Sequence, residues 1–315
     1  MSRGTSALVQ TLPRTHGETL GALIETTKPR ITRMVVITAL IGAALAALDG
    51  DAPSWGTLLW MLLVVSLGTA LSASGANSLN QWMERARDAQ MRRTAGRPLP
   101  VRAVGPATVF LFGCVLSLAG ALLLWMLLGP VPAAVSLSCT LIYVLLYTPM
   151  KVYSPWATLV GAIPGALPPL IGWTAIAGSG DFSTVLDPGG LSLVAIMTIW
   201  QIPHFLAIAW MYREDYEQGG FRVLPVLDPN GRLTAWTMLI TGALLLLASL
   251  SPLVAMPEII GAGYGVIAGA TGIAYLILCA RLAREKTVAM ARRVFIASVI
   301  HLPILLLTLV VDALV

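Results

Sequence analysis

The sequence predicts an all-α polytopic membrane protein, with nine transmembrane helices in a single bundle and a cytoplasmic amino terminus. Three observations lead there. Hydrophobic residues make up 57% of the 315 and charged residues only 11%, with a mean hydropathy of +0.82, far from the roughly 25% charged residues of soluble domains. Nine apolar stretches follow one another, most of them close to the ~20 residues that a helix needs to cross a hydrocarbon core. When nine spans are threaded from an inside amino terminus, all 20 Lys and Arg fall on the cytoplasmic side, the bias that orients membrane proteins.

Residues 1–27 are polar and lack the apolar core and cleavage site of a secretory signal, so they read as a cytoplasmic tail ahead of a membrane domain over 28–315. The apolar stretches run 31–48, 58–75, 107–128, 132–147, 157–177, 191–211, 235–254, 259–280 and 294–311. The third and fourth are separated only by Gly129-Pro130-Val131, which predicts a tight outside turn. The outside connections hold Asp49, Asp51, Asp181, Asp187, Glu258 and Asp312, with no basic residue. An eight-span or ten-span count would strand basic clusters outside. The formal charge of +5 is therefore topological, and no nucleic-acid partner is implied. Cys114, Cys139 and Cys279 lie apart inside apolar stretches, as small core residues and not as a disulfide or zinc framework. Trp156 and Trp173 read as interfacial anchors. The fifth stretch, with Gly161, Pro164, Gly165, Pro168, Pro169 and Gly172, holds too many breakers for a straight helix. Its small residues either open a slot for a flat or isoprenoid ligand or let helices pack closely.

Chemistry concentrates after the second stretch. Asn80, Glu84 and Asp88 recur every four residues, and on a helix each step drifts only ~40°, so the three share one face over ~12 Å. A charged run after a transmembrane helix is commonly a solvated loop, but orientation depends on Lys and Arg alone and needs no such row of acids. Two carboxylates and an amide oxygen suit Mg²⁺, which binds through one or two carboxylates plus substrate phosphates. Arg92, Arg93 and Arg97 follow at once and complement phosphate charge.

Asn80-x-x-x-Glu84-x-x-x-Asp88, then Met91, Arg93-Thr94 and Arg97-Pro98-Leu99-Pro100, resembles the first acidic motif of the intramembrane prenyltransferase superfamily, most closely its protohaem IX farnesyltransferase branch. Lys28-Pro29-Arg30, Tyr147-Thr148 through Lys151, Ser154-Pro155-Trp156, the Gly165 to Trp173 run, Trp200-Gln201-Ile202-Pro203-His204-Phe205, and Asp215-Tyr216 followed by Leu224-Pro225-Val226 resemble that branch in the same order. The resemblance covers residues 28–312. It implies farnesyl transfer from farnesyl diphosphate to a vinyl group of haem B, with water addition giving haem O and diphosphate. It implies Mg²⁺ held by Asn80, Glu84, Asp88 and, from a second acidic motif, Asp215. Lys28, Arg30, Arg93, Arg97 and Lys151 are then the diphosphate-binding residues, although a single lysine such as Lys151 also suffices to orient a loop. The implied setting is a bacterial inner membrane with the site facing the cytoplasm, and the implied partner is a downstream haem A synthase or terminal oxidase assembly. The family usually carries a further acid where this chain has Ala86, and other branches carry another where it has Gly219; of the second motif only Asp215 is carried over, and Glu214 and Glu217 stay open.

His204 and His301 lie inside apolar stretches, where ionisable side chains are rare and mark functional sites. Both fall ~12–14 Å from the cytoplasmic boundary at 1.5 Å per residue. They are the haem-binding candidates, each alternatively making only an interhelical hydrogen bond. A sister prenyltransferase acting on an aromatic or quinone precursor is the nearest rival reading. A non-catalytic haem-binding assembly factor would need the histidines and not the acids. A transporter would place carboxylates near the midplane, and none lies there.

Overall fold

The computed structural model describes residues 16–50 and 53–315; residues 1–15 of the tail and Asp51 lie outside the described residues. Among the described residues nine helices are long and apolar enough to cross a membrane: Pro29–Asp49, Trp55–Asp88, Pro106–Leu127, Pro130–Met150, Ala157–Ala177, Pro188–Met211, Arg232–Ala255, Ala262–Glu285 and Val288–Leu314. We call them the first to ninth spans. Pro29, Pro106, Pro130 and Pro188 each open a helix, where the missing N–H costs nothing because no intrahelical partner exists there.

The second span differs most from its sequence prediction. It has 34 residues and so runs ~51 Å, well beyond the ~30 Å hydrocarbon core. Nothing between Gly75 and Ala89 breaks it, and it carries Asn80, Glu84 and Asp88 on one continuous helix. The segment read as a polar tail is also structured over its described part. His16–Thr26 form an amino-terminal helix whose Ala22 joins Leu99, Ala103, Val104 and Val109 in a small apolar cluster. Thr26 is fully buried and its hydroxyl meets that of Ser78 at 2.9 Å.

Spans adjacent in sequence pack together, and the first span also lies along the second half of the fifth, the fifth against the sixth, and the ninth against the sixth and the first. Close approach relies on glycine. A Cβ at Gly75 would collide with Ser117 and the Gly113 carbonyl of the third span, and one at Gly172 with the carbonyl of Ala39 in the first. In the fifth span, which breaks at Leu167 between Ala157–Ala166 and Pro168–Ala177, Gly165 is likewise filled by Gln201. The small residues there serve close packing, and at these positions no slot is left open. Trp173 is no interfacial anchor: it is 2% exposed, packs on Gly189, and donates its indole N–H to Asp187 at 3.1 Å. Trp156 is exposed, as an anchor would be. Before its last turn the fourth span passes through a π-helical turn, Ile142–Tyr147, a departure often found at functional sites and not visible in the apolar pattern.

Candidate active site

The four-residue spacing holds in three dimensions. Asn80, Glu84 and Asp88 are all buried, at 1%, 6% and 0% exposure, so each needs a polar or charged partner. Each finds a cation from a different segment. Lys28, ahead of the first span, donates to Asn80 Oδ1 at 2.8 Å. Lys151, between the fourth and fifth spans, lies 2.5 Å from Glu84 Oε1. One guanidinium nitrogen of Arg97 donates to both oxygens of Asp88 at 2.8 Å. Three of the five predicted diphosphate-binding residues thus meet the ridge one to one, Lys151 and Arg97 against the two carboxylates and Lys28 against the amide oxygen.

Local structure explains the placement. Lys28 has φ 50°, ψ 65°, in the left-handed region, which costs a non-glycine residue of order 1 kcal/mol or more. Its neighbours hold it there. Asn77 donates to the Thr27 carbonyl (3.2 Å) and the Thr32 hydroxyl (3.3 Å), and Gln81 donates to the Thr26 carbonyl (3.1 Å), tying down carbonyls that a helix end leaves unpaired. Thr94, 1% exposed, bonds the Asp88 carbonyl at 2.9 Å and turns the chain so that Arg97 reaches back. Thr148 accepts from the Asn80 amide at 3.0 Å and donates to the Tyr143 carbonyl inside the π-helical turn at 2.8 Å. The turn also sets Tyr147 under Lys151, with the ammonium 4.7 Å from the ring centre. Asn77 and Gln81 carry no signal of their own as supports, because single polar residues near a helix end have many possible partners; Thr148 lies within the Tyr147-Thr148 motif, but its bond to Asn80 is a tertiary contact.

Burial sets the charge state of the lysines. Burial first, and then the positive charge of Arg97, push the Lys28 ammonium down to about 7, against the pull of Glu84. Burial acts on Lys151 too, but the Glu84 carboxylate, with the Tyr147 and Tyr143 hydroxyls, more than offsets it and holds that ammonium above its ordinary value.

The rest of the predicted set is more dispersed. Asp215, in the short helix Arg213–Gln218 after the sixth span, accepts from the backbone N–H of Arg93 at 3.2 Å. The Arg93 guanidinium lies 5.2 Å and 5.5 Å from the ring centres of Tyr212 and Tyr216 and donates to the Tyr216 hydroxyl at 3.3 Å. The two acidic regions are thereby joined through the loop after the second span, and Arg87, donating to the Gly219 carbonyl at 3.0 Å, ties them again. Arg30 is exposed and makes no polar contact among the described residues. His204 and His301 remain inside the sixth and ninth spans; their rings stack on Trp200 and Tyr275 respectively, not on each other.

The donor set fits Mg²⁺: hard oxygens only, two carboxylates and an amide on one face, with room in the coordination for water and phosphate oxygens. Among the described residues no three carboxylate, imidazole or thiolate groups converge on one point, so the protein alone does not build a closed metal cage. Ala86 is exposed, on the far side of the helix from the ridge. Ala86→Asp is therefore expected to leave the Mg²⁺ concentration for half-maximal rate nearly unchanged; a severalfold shift in a Mg²⁺ titration would mean that position 86 reaches the metal.

Comparison with known proteins places the whole chain. The model of the UbiA prenyltransferase family matches residues 35–300. The chain is 42% identical over 287 residues to a protoheme IX farnesyltransferase of Solibacter usitatus, covering 90% of this chain and 95% of that one. It is 39% identical over 292 residues to another of Opitutus terrae, covering 92% and 94%. Among solved structures, a digeranylgeranylglyceryl phosphate synthase shares the fold at a TM-score of 0.75 and 18% identity, over 94% of this chain and 99% of that one. A UbiA homologue from Archaeoglobus fulgidus bound to GPP and Mg²⁺ does so at 0.55 and 14%, over 90% and 99%. With a family match across most of its length and an acidic ridge on the second span faced by three cations, this chain belongs to the UbiA prenyltransferase family.

Proposed function

We propose that this membrane protein transfers the farnesyl group of farnesyl diphosphate to a vinyl carbon of haem B and, with addition of water, produces haem O and diphosphate. The observation that carries the prenyl-transfer reading is the pairing of Asn80, Glu84 and Asp88 with Lys28, Lys151 and Arg97. Haem as the acceptor rests on the relatives named protoheme IX farnesyltransferase.

Asn80, Glu84 and Asp88, with Asp215 of the second acidic motif, would hold Mg²⁺, which would supply charge neutralisation for the departing diphosphate. Lys28, Lys151 and Arg97 exchange their ridge contacts for diphosphate oxygens, and Arg93 closes the rim; Arg30 attracts the anion from outside. These preorganised cations favour the state in which the C1–O bond breaks and its electron pair leaves on diphosphate. The farnesyl chain lies among apolar spans that keep water from the allylic cation. The terminal vinyl carbon bonds to C1, water captures the resulting cation beside the porphyrin, and a proton is released to solvent. His204 and His301 are the candidates for haem binding within the spans. The site faces the cytoplasm of a bacterial inner membrane, and the product passes to a haem A synthase or a terminal oxidase assembly.

Purified protein given haem B, farnesyl diphosphate and Mg²⁺ is expected to release diphosphate and haem O together. Turnover of an aromatic or quinone acceptor with haem B inert would replace this reading with the sister activity. The depressed ammonium of Lys28 adds a pH test. A bound diphosphate raises the Lys28 pKa, so binding takes up a proton when the free lysine is neutral. Affinity for farnesyl diphosphate without haem then falls as pH rises above about 7, approaching tenfold per unit from this lysine alone. Lys28→Arg stays charged and is expected to flatten that slope; equal slopes in both proteins between pH 7 and 8.5 would contradict the assignment.

A further inference from the structure

His204 sits in the sixth span with its Nδ1 2.7 Å from the Ser298 hydroxyl oxygen of the ninth. That hydroxyl has one hydrogen, and it is directed to the Phe295 carbonyl at 2.6 Å. Ser298 Oγ is then the acceptor toward the imidazole, so Nδ1 carries the proton and Nε2 carries the bare lone pair, an assignment read from the hydrogen-bond network. Ser298 is fully buried, and Trp200, whose indole donates to the Ser298 carbonyl at 2.8 Å, also stacks on the His204 ring with 4.6 Å between centres. Phe295 closes another side at 5.2 Å. The ring is held on three sides, is only half-buried, and leaves Nε2 without a partner among the described residues. His301 contrasts with it: both its nitrogens are sealed in the bundle without a hydrogen-bond partner among the described residues, and its ring lies flat on Tyr275.

We propose that Ser298 is a positioning residue that fixes the Nδ1–H tautomer of His204 and presents Nε2 to the haem iron as the axial ligand. This rests on haem B being the acceptor. Ligating histidines generally donate their other N–H to a fixed acceptor, which sets the ring orientation and raises ligand basicity, and loss of that partner costs about 10–100-fold in metal affinity. His301, enclosed and unoriented, serves packing.

The test titrates haem B into the purified full-length protein and reads affinity, the Soret band and the iron–histidine stretch of the ferrous form. Ser298→Ala is expected to weaken haem about tenfold and lower the stretching frequency, while Ser298→Thr, which keeps the hydroxyl, stays near wild type. His204→Ala is expected to lose the stretch, with exogenous imidazole restoring the Soret position, and His301→Ala to keep it. If His204→Ala loses the stretch but Ser298→Ala matches wild type in affinity and frequency, the positioning role is wrong and the ligand stands. If His204→Ala leaves every signal unchanged, the ligand and the role of Ser298 both fall. If the wild-type protein binds no haem, the acceptor reading itself fails.

Discussion

Asp88→Asn is expected to lower kcat roughly 10³-fold, on the scale seen when one preorganised charge-stabilising group is removed, while the protein still inserts and stays monodisperse. The substitution keeps the shape of a fully buried side chain and removes its negative charge. Arg97 then loses its anionic partner at the end of the ridge, and so would a metal held there as proposed. The fold tolerates this because Arg97 is 27% exposed and can turn to water, so no uncompensated charge is trapped. Asp215→Ala is expected to cost turnover in the same direction, since it removes the acid that the second motif brings against Arg93. Steady-state diphosphate release by purified variants measures both effects, and near-normal rates in either would remove that residue from the metal site.

Gly172→Val is expected to abolish accumulation of folded protein. Its Cβ would overlap the Ala39 carbonyl and crowd the backbone nitrogen of Ala43 at 2.8 Å. Those are backbone atoms, which cannot rotate aside, so the first and fifth spans must separate. Overpacking commonly costs ~1–3 kcal/mol and occasionally more; here the separation would also pull Lys28, at the head of the first span, away from Asn80. Gly269→Ala is the control, because nothing lies within 4 Å of a Cβ there. Size-exclusion chromatography in detergent separates the two outcomes, and a monodisperse Gly172→Val protein with wild-type thermal stability would show that this crossing is looser than the structure has it.

The span count was legible because each helix leaves an apolar run of fixed length and the basic residues sort to one side. The ridge was legible for a similar reason: a spacing of four is a statement about one helical face, and the second span honours it from Asn80 to Asp88. Which cation meets which ridge member was not legible, since Lys28, Lys151 and Arg97 come from segments joined only by tertiary packing. The amino-terminal helix was missed because its apolar contacts are few and its anchors, Asn77, Ser78 and Gln81, sit on the second span and not on the helix itself. Glycines of the fifth span left two readings open; the identity of the atoms opposite them, such as the Ala39 carbonyl, decided for packing. Trp173 looked interfacial by sequence position, yet the span is tucked inside the bundle and Asp187 satisfies its indole. The π-helical turn at Ile142–Tyr147 has no composition of its own.

The ridge on the second span is proposed to drive farnesyl transfer to haem. The direct measurement is a pigment extraction of membranes from a strain lacking haem O, with this gene supplied as wild type or as Asp88→Asn, resolved chromatographically for haem B and haem O. Haem O is expected with the wild-type gene and haem B alone with the variant, at equal amounts of protein in the membrane. Haem O from both, or from neither, would contradict it.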